Sequence, residues 1–118
     1  MRQANANIIA DNDNGILLGN GNTATGFDFS SDGMSANANQ IYCNSKPSTQ
    51  AANGYDLIVN AGATLNFAGN VWDHATPTTG VSTTTSANGT DIVGTGDLDV
   101  TTTGSTATTQ SCTGSRVH

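Results

Sequence analysis

The chain contains no glutamate, and its nine acids are all aspartate. It has one lysine, Lys46, and two arginines, Arg2 and Arg116. Charged residues make up 10% of its 118 positions, against about 25% in an average protein. Each shortage excludes something. Asn, Gly, Thr and Ser stand where helix formers would, and they compete with helical hydrogen bonding or cost backbone entropy. No stretch carries apolar residues at i, i+3, i+4 and i+7 over three turns, so no amphipathic helix is expected. The three dispersed cations form no basic patch, which argues against nucleic acid and against anionic membrane surfaces as partners. No apolar run approaches the length of about 18 residues that a spanning helix needs, so membrane insertion is not expected. The opening Met1-Arg2-Gln3-Ala4-Asn5 lacks the apolar stretch of a signal peptide, and the chain is expected to be a segment of a longer protein.

What is present is a set of short apolar bursts. The apolar fraction is 35%, below the usual range of about 45–50%, although that range counts glycine. Ile8-Ile9, Ile16-Leu17-Leu18, Leu57-Ile58-Val59 and Ile92-Val93 are strand-length and bounded by Asn, Gly or Asp. One phrase occurs twice, as Ala52-Asn53-Gly54-Tyr55-Asp56-Leu57-Ile58-Val59 and as Ala87-Asn88-Gly89-Thr90-Asp91-Ile92-Val93. Each copy is followed by a Gly and a Leu, at Gly62 and Leu65 and at Gly96 and Leu98, and Asn14-Gly15-Ile16-Leu17-Leu18 is a weaker relative. Repetition of short strand phrases between turn residues predicts a stacked, solenoid-like all-β chain with a thin core.

A second phrase places an apolar residue three positions before an Asn: Ile9 before Asn12, Ile41 before Asn44, Phe67 before Asn70. Asn tolerates the left-handed backbone of a corner, and its amide can donate to one neighbour and accept from the next in a stack. Asn12, Asn44 and Asn70 are therefore expected to be corner residues, with Ile9, Ile41 and Phe67 stacked inside. The copies are 32 and 26 residues apart, more than a bare coil of about 20–25 residues requires, so loop insertions are expected. The connections are Gly19–Gly26, Ser30–Ala38 and Ser45–Asn53, the last containing Pro47, which fits a loop or an edge. Residues 1–80 carry the coils, 81–100 a last coil or cap, and 101–118 a Thr-, Ser- and Gly-rich tail expected to be poorly ordered. Cys43 is expected to point into the core, whereas Cys112 lies in that tail. The two can form one disulfide or remain two thiols, and the separate thiols are preferred here.

Three phrases follow one another in order: Asn39-Gln40-Ile41-Tyr42-Cys43-Asn44, then Gly54-Tyr55-Asp56-Leu57-Ile58-Val59, then Gly69-Asn70-Val71-Trp72-Asp73-His74-Ala75-Thr76-Pro77-Thr78. In this run the chain resembles bacterial right-handed parallel β-helix proteins of the pectin-lyase-like superfamily. Within it, the resemblance is to secreted β-helix proteins carrying domains of unknown function such as DUF1565. It covers about a third of the chain, and the segment from Ser82 onward does not share it. The resemblance implies the terminal coils, about three to five, of a longer β-helix and a secreted or cell-surface setting. It implies no particular reaction.

Candidate chemistry is sparse. Trp72-Asp73-His74 is the one aromatic–acid–imidazole cluster: Trp can stack on a sugar while Asp and His exchange protons. Neighbours on an extended strand face opposite sides, so Asp73 and His74 are not expected to converge unless the loop folds sharply. The structural alternative, Trp72 capping the thin core and Asp73 starting a turn, is preferred. Asp11-Asn12-Asp13-Asn14-Gly15 looks like a calcium loop but lacks the later Glu, and reads better as a turn. Asp56 and Asp91 occupy equivalent points of the repeated phrase and can stack, although as strand starters they need no further role. The triplets Thr23-Ala24-Thr25, Thr83-Thr84-Thr85, Thr101-Thr102-Thr103 and Thr106-Ala107-Thr108 start 60, 18 and 5 residues apart, too irregular for an ice-binding row. No Ser–His–Asp set or Gly-x-Ser-x-Gly turn occurs.

The expectation is a non-catalytic structural or carbohydrate-contacting module of a larger secreted or cell-surface protein. It has no assigned catalytic or metal residues, no cofactor and an unknown binding site. Polysaccharide or surface glycans are the expected partners, with self-association through exposed ends. The competing reading is part of a polysaccharide lyase or hydrolase whose catalytic coils lie outside this segment.

Overall fold

The computed structural model describes residues 2–3, 7–18, 27–31, 38–47, 49–50, 52–59, 64–94 and 99–117. The connection Gly19–Gly26 with Thr23-Ala24-Thr25, most of Ser30–Ala38, and Gly62, Gly96 and Leu98 lie outside the described residues, as does the side chain of Arg2. Twelve short strands occur among the described residues, and no helix: β1 Arg2–Gln3, β2 Ile8–Ala10, β3 Ile16–Leu18, β4 Phe27–Asp28, β5 Gln40–Tyr42, β6 Leu57–Val59, β7 Thr64–Asn66, β8 Val71–Trp72, β9 Thr79–Gly80, β10 Ile92–Gly94, β11 Asp99–Thr101 and β12 Thr106–Ala107. No helix of the described residues is long and apolar enough to cross a membrane.

The strands form three four-stranded sheets, in the orders β1-β4-β7-β11, β2-β5-β8-β12 and β3-β6-β10-β9. Every strand pair is parallel. The chain visits the first, second and third sheet in turn, and each return lays the new strand beside the one from the previous visit. The departure is β9, which enters the third sheet early; residues 81–91 then loop back and place β10 between β6 and β9.

Register stacks like on like. Ile16, Leu57 and Ile92 form one column and Leu18, Val59 and Gly94 another. Ile9 pairs with Ile41, and Leu65 with Val100. One core draws on all three sheets: Leu18, Leu57, Val59 and Ile92 from the third, Ile41 and Trp72 from the second, Leu65 and Phe67 from around the first. The Phe29 and Phe67 rings stack in parallel at 4.8 Å, and Phe67 meets Trp72 at 5.7 Å. A smaller cluster of Tyr55, Ile58 and Val93 packs outside the third sheet. The Tyr55 hydroxyl ties the returning loop over it, 2.8 Å from the Thr83 carbonyl and 3.0 Å from that of Ser86. Leu17, next in the column of Ile58, is left 62% exposed.

The Asn-Gly phrases owe their glycines to this stacking. Gly54 and Gly89 are neighbours, joined by a backbone hydrogen bond of 3.0 Å. A Cβ on Gly54 would lie 1.9 Å from the Asp13 carbonyl oxygen, which no side chain tolerates. Asn14-Gly15 is displaced from this alignment: Gly15 lies level with Asp56, not with Gly54.

The expected single stack of corner asparagines is two stacks. In the first, the amide Nδ2 of Asn12 donates to Asn44 Oδ1 at 3.0 Å, and Asn44 Nδ2 donates to Asp56 Oδ1 at 2.8 Å. In the second, Asn7 donates to Asn39 at 3.0 Å, Asn39 to Asn70 at 3.2 Å, and Asn70 to the Phe67 carbonyl at 3.0 Å. Asn70 thus belongs to a different corner from Asn44, and Trp72, not Phe67, follows Ile41 in its column. Asn44 is buried and donates to Asp56 and to the Ile9 carbonyl. Asn44→Ala should therefore cost about 1–3 kcal/mol, the penalty of stranding buried partners. A loss below about 0.3 kcal/mol in urea unfolding would contradict this role for the ladder.

The Thr-rich end is not a loose tail. Thr106 and Thr108 donate backbone hydrogen bonds to Asn70 and Trp72 at 3.0 and 2.7 Å. Cys112 forms a disulfide with Cys43, with Cα atoms 5.3 Å apart, so the preferred pair of thiols is replaced by a cross-link. Beyond it the Thr113 N–H donates to Asp11 Oδ1, Arg116 bonds Asp13 and the Ser45 carbonyl, and Arg116 forms an isolated antiparallel bridge with Pro47. Locally weak sequence is held here by distant partners, which composition does not report.

Candidate functional site

The polar groups that matter gather where the chain passes from the second sheet to the third. Asp56 precedes β6 and Asp91 precedes β10; the parallel register of Leu57 on Ile92 sets one acid beside the other. The Leu57 N–H donates to the Asp91 carbonyl at 2.8 Å, which locks that alignment. Asp73 follows β8, where the chain leaves the extended conformation and bends through residues 73–76. Carboxylate oxygens of Asp56, Asp73 and Asp91 all lie within 4.8 Å of one another.

Each acid is held by a different set of donors. Asp56 Oδ1 accepts from the Asn44 backbone at 3.0 Å and from its amide at 2.8 Å. Cys43 sits at φ 58°, and its N–H is turned onto both oxygens of Asp73, at 3.1 and 3.0 Å. Asp91 Oδ2 accepts from the Thr78 N–H at 2.6 Å and its hydroxyl at 3.0 Å, and lies 2.8 Å from His74 Nδ1. That contact becomes a salt bridge when the imidazole is protonated. The second oxygens, Asp56 Oδ2 and Asp91 Oδ1, are buried and have no hydrogen-bond partner among the described residues. Asp56 is 1% exposed and Asp91 0%. Burial raises the Asp56 carboxyl to about 9, and the charges of Asp73 and Asp91 push the same way; the Asn44 hydrogen bonds oppose the shift and do not overcome it.

Asp73 and His74, expected to diverge, converge on Asp91, because the bend after β8 removes the strand alternation that would separate them. Trp72 does not join them. Its ring is buried in the core against Phe67, so it offers no face to a sugar. Asp11 and Asp13 lie on a bend, where Asp11 accepts from the Thr113 N–H and Asp13 from Arg116. The Thr triplets among the described residues lie on the loop after β9, on β11 and around β12, and do not form one row. The equal offset of Asp56 and Asp91 in the repeated phrase was the signal for their contact; Asp73 stood out beside Trp72 and His74, but its meeting with Asp56 depends on how distant segments stack.

Such a cluster can share protons, bind a cation, or act as acid and base on a substrate that reaches it. The two deepest carboxylates face the fold, and Asp73 and His74 form its half-exposed side. No family model, curated protein or solved structure matches the chain.

Proposed function

We propose that the chain is a run of coils of a right-handed parallel β-helix of the pectin-lyase-like kind, serving as a non-catalytic structural or carbohydrate-contacting module of a larger secreted or cell-surface protein. The observation that carries this reading is the cyclic order of the strands. Successive strands return to the same three sheets in parallel, and the corner side chains that could do chemistry instead join one layer to the next. Crossovers between parallel strands are right-handed almost without exception, which supports that hand. The Cys43–Cys112 disulfide supports an oxidising setting, since such bonds persist in secreted and surface proteins.

A groove of about 520 Å³ lined by Thr76, Pro77, Thr101, Thr103 and Ser105 presents hydroxyls suited to a sugar. At the end of the molecule formed by the edge strands β1, β2 and β3, a hollow of about 340 Å³ lies among Ile9, Ile16, Phe29 and Ile41. A further coil or a second copy would close it, which is the sense in which self-association is expected.

The second reading is part of a polysaccharide lyase or hydrolase, and the observation in its favour is the His74–Asp91 pair, 2.8 Å apart. A glycan array combined with a reducing-end assay separates the two. The expected outcome is no release of reducing ends or unsaturated uronides from pectin or alginate. Turnover that vanishes in His74→Ala and survives in Thr84→Ala would replace the module with an enzyme. Absence of any glycan binding would remove the carbohydrate contact and leave the structural role.

A further inference from the structure

We propose that Asp56, Asp73 and Asp91 hold a calcium ion that joins the layers carrying β6, β8 and β10. The proposal does not depend on the glycan reading. Three observations support it. The three carboxylates bring oxygens within 4.8 Å of one another, and oxygens around a Ca²⁺ at about 2.3–2.6 Å span at most about 5 Å. Two of those acids, at 1% and 0% exposure, each keep one oxygen that no group among the described residues satisfies. An unpaired buried carboxylate oxygen is costly, and one cation between Asp56 Oδ2 and Asp91 Oδ1 would satisfy both. The opposite oxygens, Asp56 Oδ1 and Asp91 Oδ2, are already oriented by Asn44, Thr78 and His74, the outer support that metal-binding carboxylates need.

The chemistry of the donors selects the ion. All are carboxylate oxygens, hard ligands that favour Ca²⁺, Mg²⁺ or Mn²⁺ over thiophilic metals. The sulfurs of Cys43 and Cys112, near Asp73, are bonded to each other and cannot ligate as thiolates. Mg²⁺ demands a tight octahedron and keeps several waters, which two fully buried acids leave little room for; Ca²⁺ accepts irregular and bidentate geometry. A divalent ion would offset two of the three charges that the ionised cluster carries, the ligands being deprotonated as the ion binds. Asp73, only half-buried, supplies the way in.

The test uses the full chain, stripped with chelator, and titrates CaCl₂ by calorimetry with thermal unfolding in parallel. One saturable site is expected. At a free concentration of about 100 times Kd the gain should raise Tm by roughly 10 °C. Asp73→Asn and Asp56→Asn, which keep size and shape, should each weaken binding at least about tenfold, as loss of a charged ligand does. Asp13→Asn, outside the cluster, should bind as the parent does. Circular dichroism establishes that each variant is folded before titration. No heat and no Tm shift up to about 10 mM Ca²⁺, above the range of extracellular calcium modules, would overturn the proposal. So would equal affinity in Asp73→Asn and the parent, or Mg²⁺ or Mn²⁺ binding in preference to Ca²⁺.

Discussion

Reducing the Cys43–Cys112 disulfide should cost the fold about 4 kcal/mol. The bond closes a loop spanning a sequence separation of 69 residues, and the chain entropy released in the unfolded state on cutting a loop of that size is of this order. The bond also fixes the last segment, whose other ties among the described residues run from Thr113 to Asp11 and from Arg116 to Asp13, Ser45 and Pro47. An isolated ion pair such as Arg116–Asp13, with the Asp13 side chain half in solvent, adds at most about 1 kcal/mol. The segment therefore depends on the covalent link. Urea unfolding with and without reductant, and of the Cys43→Ser/Cys112→Ser variant, measures the effect. A change below about 1 kcal/mol would show that the unfolded chain gains little from release or that packing alone holds the end in place.

The second large effect is on pH. In calcium-free buffer the stability should fall as pH rises from about 4 to 9, and Asp56→Asn should abolish most of that fall. The sign follows from the raised Asp56 carboxyl, about 9 in the folded state against an ordinary unfolded value of about 3.9. Below the unfolded value both states hold the proton and the contribution is fully present. Between the two values the folded state keeps a proton that the unfolded state has lost, so each unit of pH costs up to about 1.4 kcal/mol. Above about 9 the buried carboxylate ionises against Asp73 and Asp91, and the contribution is gone. Over pH 5 to 8 the parent should lose about 2–4 kcal/mol more than the variant. Urea midpoints at pH 5, 6.5 and 8 decide it, and parallel profiles for the two proteins would refute the assignment. Calcium acts in the opposite direction, because it stabilises the ionised cluster; saturating Ca²⁺ should flatten the parent's profile.

Composition and local pattern were sufficient for the strands. A chain without glutamate, with β-branched bursts bounded by Asn-Gly, has short strands and no helix among its described residues, because nothing in it offers a helical face to bury. The repeated Asn-Gly-x-Asp phrase also determined one register: equal offsets set Gly54 beside Gly89 and Asp56 beside Asp91, since only glycine fits one level and the β-branched runs must pair at another. Tertiary structure decided the rest. Whether Asn70 continues the stack of Asn44 depends on how many residues each connection takes up, and that count put it with Asn39. Asp73 and His74 meet Asp91 through a bend that no local rule demands. Cys112 finds Cys43 from a stretch that reads as disordered, because its order is supplied by partners far away in sequence. The three acids stand 17 and 18 residues apart along the chain, and their contact is a through-space property of stacked layers. A linear pattern records which side chains recur. It does not record the lengths and bends of the connections, and those decide which of the recurring side chains share a corner.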